Sequence, residues 1–199
     1  MDDSSTDVSK LWLNKYVYKP YRPIYTTWAQ QEIERLAEFL PSGTVIEHIG
    51  STAVPGLSGK GIIDLMLCVP EEKSANLKQI PDSVFNLISK LEQSGYTFKH
   101  HVIIDDNRWF LDRHDYLDNG KLRLFHLHLI QGPSIEEVKQ IKFRNFLREH
   151  PDYCRRYEEA KQLAVKLAEQ ATKKEDKKKI YIDTKETIIR EIIAQIAQE

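Results

Sequence analysis

Apolar residues recur at helical spacing from Trp28 through Ile33, Leu36, Ala37 and Leu40. That spacing predicts a helix capped by Thr26 or Thr27 and stopped by Pro41-Ser42-Gly43. Residues 44–49 read as a strand. Ile62–Val69 is almost continuously apolar and reads as a second strand covered on both faces. Asp82 or Ser83 caps a helix to about residue 94, which Gly95 ends. Three strands follow, at 97–102, 108–112 and 122–130, with a turn at Asp118-Asn119-Gly120 between the last two. Ser134 caps a helix over Ile135–Glu149, and Pro151 opens another to about residue 171. The charged run 173–179 reads as a solvated corner. A final helix carries Tyr181, Ile188, Ile189, Ile192, Ile193 and Ile196, whose apolar pairs suit packing on the domain. The order of elements predicts an α+β fold: a mixed sheet with helices on one face and a C-terminal helical layer. Residues 1–15 read as a loose N-terminal segment and 16–199 as a single domain. Within it, the core spans about 16–133 and the C-terminal helices about 134–198.

Composition narrows the class. The 199 residues are 41% hydrophobic and 30% charged, enough for a core and a solvated surface. No apolar run approaches the roughly 20 residues of a membrane span. The N-terminus is acidic and polar, without the basic and then apolar regions of a secretory signal, which reads as cytoplasmic. Cys68 and Cys154 form no Cys-x-x-Cys pair, which argues against a disulfide framework or a cysteine zinc site. A net charge of −1 and the lack of a basic stripe interleaved with aromatics argue against a nucleic-acid partner. Residues 139–199 hold 15 Lys/Arg against 11 Asp/Glu, a mild positive bias that suits helices beside an anionic ligand.

Chemistry concentrates in Glu47-His48-Ile49-Gly50-Ser51-Thr52, Lys60 and Asp64. A strand ends in Gly-Ser, where a close backbone turn lets N–H groups and a hydroxyl hold phosphate. The next strand presents Asp64, and a carboxylate beside bound phosphate suits Mg²⁺. The alternative is a tight loop with Asp64 as a hydrogen-bonded structural acid.

The run His48-Ile49-Gly50-Ser51-Thr52-Ala53-Val54-Pro55-Gly56-Leu57, followed by Lys60 and Ile62-Ile63-Asp64, closely resembles the signature of the GrpB family. Tyr21-Arg22-Pro23 with Trp28 resembles its N-terminal region, and Phe125-His126-Leu127-His128-Leu129 its His-Leu-His strand. Residues 143–151, with Tyr157, Lys161, Leu167, Ala168, Tyr181 and Lys185, resemble its helical signature. The resemblance covers about residues 16–197. It implies a fold similar to the DNA polymerase β-like nucleotidyltransferases, in which Gly-Ser ends one strand and two carboxylates in Asp-x-Asp spacing on the next hold metal ions. Here position 66, where the second carboxylate would stand, is Met. The later strand offers His126 and His128 where the third acid is usual.

These readings give candidate roles. Asp64, Glu47 and Lys60 are the catalytic candidates. Gly50, Ser51, Thr52 and His48 are expected to hold phosphate, joined by Arg144, Arg148, Tyr181 and Lys185 through the family match. Arg108, Arg113 and Arg123 are further clamps or surface ion pairs. Asp64 with Glu47 is expected to hold Mg²⁺ or Mn²⁺. Asp64, His126 and His128 form an alternative metal set of two His and one carboxylate if their strands are neighbours. The expected partner is a nucleotide or phosphorylated small molecule. Three functions stay open: nucleotidyl transfer to a small acceptor, a catalytically inactive nucleotide- or CoA-like-ligand module, and a His/Asp metal-dependent hydrolase.

Overall fold

The computed structural model describes residues 19–71, 80–100, 107–117, 122–132 and 135–198. The expected loose segment 1–15, the Asp118-Asn119-Gly120 turn and the Ser134 cap lie outside the described residues. The elements are α1 (Ile24–Ala37), β1 (Val45–Ile49), a 3₁₀ turn (Ser51–Ala53), β2 (Ile62–Val69), α2 (Asp82–Gln93), β3 (Thr97–Phe98), β4 (Arg108–Tyr116), β5 (Leu122–Gln131), α3 (Ile135–Glu149), α4 (Pro151–Gln170) and α5 (Lys174–Ile196). The fold is α+β, with one mixed five-stranded sheet in the order β1-β2-β5-β4-β3. β2 and β5 run parallel at its centre, and the other pairings are antiparallel.

The apolar run of β2 is explained by cover on both sides. Ile63, Leu65 and Leu67 face α1 and α2, packing with Leu36, Leu87, Leu91, Phe125 and Leu127 in the main core. α2 supplies Val84, Leu87, Ile88 and Leu91, one buried stripe at helical spacing. Met66 and Cys68 face the other way, against Ile49, Ile130 and Ile141 of α3. Trp28 packs against the main core, and Trp109 is buried within it.

A separate cluster fixes the C-terminal layer. Val54 and Leu57, from the loop after β1, pack with Phe146, Leu147, Ile188 and Ile192. The helices therefore clamp the Gly-Ser loop as well as covering the sheet. α3 stops before Pro151, which cannot continue its hydrogen-bond ladder but is suited to the first turn of α4. Among the described residues, no helix is long and apolar enough to cross a membrane.

Several boundaries differ from expectation. α1 begins at Ile24, directly after Pro23, without a threonine side-chain cap. Of the strand expected at 97–102, Thr97–Phe98 form β3, residues 99 and 100 are not strand, and residues 101–102 lie outside the described residues. β4 continues four residues past Asp112, because Arg113 and Asp115 enter a charge network on the sheet face. The charged run at 173–179 is the start of α5, not a corner.

Candidate functional site

The loop after β1 is shaped by what touches it. Gly50 has φ +74°, and a Cβ there would stand 2.5 Å from Asp64 Oδ2. Glycine is needed both for the turn and for the close approach of the carboxylate. A Cβ on Gly59 would run into the Ser51 hydroxyl. Thr52 does not face outward: its hydroxyl donates to the Ile62 carbonyl at 2.8 Å. The Nε2 of His48, 3.0 Å from that hydroxyl, therefore carries the proton and donates to it. Burial pushes the His48 imidazole down to about 4, so it is neutral near pH 7. His48 and Thr52 thus brace the loop from inside.

β2 and β5 are neighbours in parallel register, which sets Asp64 beside His126 and Met66 beside His128. His126 Nδ1 lies 3.1 Å from Asp64 Oδ1. Burial alone would raise the Asp64 carboxyl. The hydrogen bond from His126 and the positive field of the surroundings, Lys60 included, outweigh it and hold the group below its ordinary value. His128 turns instead to Arg108, whose Nη2 is 3.1 Å from its Nδ1. Burial lowers His128 to about 4, so the neutral ring accepts from Arg108.

Ser51, Lys60, Ile62, Asp64, His126, Tyr157, Lys161 and Tyr181 line a pocket of about 170 Å³. α4 and α5 close it. Lys161 is buried and donates from Nζ to the Ser58 carbonyl at 2.6 Å. Three residues earlier on α4, Glu158 accepts the Ser58 N–H at 3.3 Å. On α5, Lys185 Nζ lies 4.0 Å from the centre of the Tyr181 ring, and Lys60 Nζ lies 5.5 Å from it. Burial first, then the charge of Lys185, lowers Lys161 to about 8; burial, then Lys60, does the same to Lys185.

The structure therefore gathers Gly50, Ser51, Lys60, Asp64, His126, Tyr181 and Lys185 of the expected residues around one place. It sets others to different tasks. Glu47 is held at 2.6 Å by Arg144, which also donates to the His48 carbonyl. Arg148 donates to the Ala53 carbonyl. Arg144 and Arg148 tie α3 to β1 and to the loop, away from the pocket lining. Arg113 and Arg123 lie on the opposite sheet face, paired with Asp115. Among the described residues, no group of three or more His, Cys, Asp or Glu is arranged to hold a metal ion. Lys161 and Tyr157 belong to the site but drew attention in the sequence only through the family match. A physical signal was there: Lys161 shares its stripe of α4 with the buried Ala164 and Ala168, an uncommon place for a lysine.

Comparison with known proteins agrees with this architecture. A UPF0157 protein of Pseudomonas aeruginosa is 35% identical over 67% of this chain and 49% of its own length. The UPF0157 protein YqkA of Bacillus subtilis is 32% identical over 65% of this chain and 35% of its own length. The chain thus matches about half or less of these two relatives. The crystal structure of conserved protein GrpB from Enterococcus faecalis superposes with a TM-score of 0.63 at 25% identity, covering 88% of this chain and 98% of that one. The family model described as GrpB protein matches residues 16–195, which takes in both the Gly-Ser loop and the helices that close the pocket, and the chain belongs to the GrpB family.

Proposed function

We propose that this chain binds a nucleotide or another phosphorylated small molecule in the Ser51–Asp64 pocket and transfers a nucleotidyl group from it to a small acceptor. The observation that supports this reading is the convergence of three lysines, from a loop and two helices, on a Gly-Ser turn with one carboxylate. In such a transfer the acceptor oxygen forms a bond to phosphorus as the bond to the leaving diphosphate breaks. Lys60, Lys161 and Lys185 would neutralise the negative charge that grows on the leaving group. Ser51 and the backbone of the turn would orient the phosphate. His126, held through Nδ1 by Asp64, offers its second ring nitrogen to the acceptor proton.

The metal ions that the related nucleotidyltransferases use do not fit these residues. Met66, fully buried, stands where a second carboxylate would be needed, and Glu47 is held by Arg144.

Met66 also favours a second reading, a non-catalytic module that senses the same ligand. One screen separates the two. Nucleotides, CoA precursors and phosphorylated metabolites are tested by thermal shift, and binders are then assayed for product with hydroxyl acceptors. A ligand at about 100 times its Kd stabilises by roughly 2.7 kcal/mol. Binding with turnover supports transfer, and tight binding without turnover over hours supports the sensor. If no phosphorylated compound binds, both readings fall.

A further inference from the structure

We infer that the pocket neutralises its phosphate ligand with lysine ammonium groups in place of a divalent metal ion, so that the ligand enters metal-free. The inference rests on the phosphate-binding reading above and specifies the chemistry of that site.

Three observations carry it. First, one oxygen of Asp64 is already engaged by the protein: Oδ1 lies 3.1 Å from His126 Nδ1. A cation chelated by both oxygens would compete with that hydrogen bond. Second, the side chains that could complete a metal shell are committed elsewhere: Glu47 to Arg144, His128 to Arg108, and position 66 to a buried methionine. Third, positive charge is already supplied. Lys60 and Lys161 line the pocket from the loop and α4, and Lys185 of α5 stands behind them; against Asp64 and the Glu158 carboxylate beside Lys161 they leave one positive charge in surplus. A dication entering there meets three ammonium groups, the Asp64 carboxylate partnered by His126, and the Glu158 carboxylate beside Lys161. A phosphate dianion or a diphosphate meets the complementary field.

The charge count also names the ligand class. The pocket is well below the several hundred Å³ of a site that engulfs a whole drug-sized molecule. It fits the phosphate end of a ligand, with the remainder outside.

The test uses the wild-type chain with inorganic pyrophosphate and ATP as probes, titrated calorimetrically in EDTA and again with Mg²⁺ or Mn²⁺. Binding in EDTA as tight as, or tighter than, binding with metal is expected. Lys161→Met and Lys185→Met are each expected to weaken it by about tenfold, the effect of removing one charge from a partly desolvated site. Asp64→Asn gives the sharpest sign. Removal of a negative charge should leave phosphate affinity unchanged or raise it, whereas loss of a metal ligand would abolish metal-dependent binding. Should Asp64→Asn fold poorly, the wild-type comparison of EDTA with metal decides alone. Binding seen only with Mg²⁺ or Mn²⁺ overturns the inference and leaves the phosphate reading intact. No binding of either probe, with or without metal, overturns the phosphate reading itself.

Discussion

Two charge clusters sit on opposite faces of the sheet and are built in opposite ways. Behind β4, the buried Glu32 accepts hydrogen bonds from Arg35, Arg113 and the Tyr96 hydroxyl at 2.7–3.1 Å. Arg113 also reaches Asp115, which takes a second bond from Arg123 at 2.8 Å. Each guanidinium meets a carboxylate within hydrogen-bond range, and Arg113 and Arg123 further lie over Phe125. On the other face, three lysines gather near one carboxylate, and that carboxylate already has His126 as its partner. The first cluster closes on itself and ties α1 to the sheet. The second crowds like charges together, and burial first, then their mutual repulsion, lowers Lys161 and Lys185 to about 8. Crowding of this kind costs a fold stability, and it is the ground on which an anionic ligand is proposed above.

The contrast is most strongly tested at Glu32. Glu32→Gln strands two guanidinium groups beside a neutral amide and should cost about 3 kcal/mol, the scale for breaking a buried pair. The denaturation midpoint should fall accordingly, with phosphate binding retained. A loss below about 1 kcal/mol would mean that the network is not structural. Next in size is Gly50→Ala. Backbone at φ +74° and ψ −170° is open essentially to glycine alone and costs another residue about 1–3 kcal/mol, and the new methyl also presses on Asp64. A loss of roughly 2 kcal/mol with disturbed phosphate binding is expected, read by denaturation and calorimetry.

A pH titration sharpens the comparison further. A bound anion favours protonated lysine, and the empty pocket releases those protons near pH 8. Affinity should therefore be flat below that pH and fall above it, by up to about tenfold per pH unit per lysine, with proton uptake visible in buffers of different ionisation enthalpy. Stability of the unliganded chain should move the other way. The folded pKa values are depressed, so the penalty is complete below about 8 and is relieved as pH rises toward the ordinary lysine value. The smallest effect is expected for Lys185→Met. It removes repulsion and keeps the aliphatic stem, so the unliganded protein should melt a few degrees higher, about 1 kcal/mol or less. A lower melting temperature would show that Lys185 is part of the scaffold.

Much of this fold was legible in the chain, and the gaps have physical causes. β2 is legible to the residue because burial on both faces leaves an unbroken apolar run. α3 is equally legible from its periodicity and the proline that follows. The far half of β4 is not, because Arg113 and Asp115 look like loop residues until Glu32 and Arg123 are seen opposite them. Adjacent placement of Asp64 and His126 was only conditional, since strand order depends on pairings that no local pattern encodes. Arg144 and Arg148, four apart on one helix face, suited a phosphate clamp equally well. Their real partners, the Glu47 carboxylate and the carbonyls of His48 and Ala53, are about a hundred residues away. Burial of Lys161 was hidden for the same reason.

The grip of α4 on Ser58 has a kinetic consequence. Its two hydrogen bonds join residues 100 and 103 positions apart, farther than the 62 that separate paired residues of β2 and β5. Ordering so long a stretch of chain precedes any reward from those bonds. The expectation is a sheet that forms early and a pocket that is completed near the end of folding. A ligand held there would then act on the unfolding limb, prolonging the life of the native state while leaving the folding rate nearly unchanged, a division that stopped-flow measurements with and without pyrophosphate would read directly.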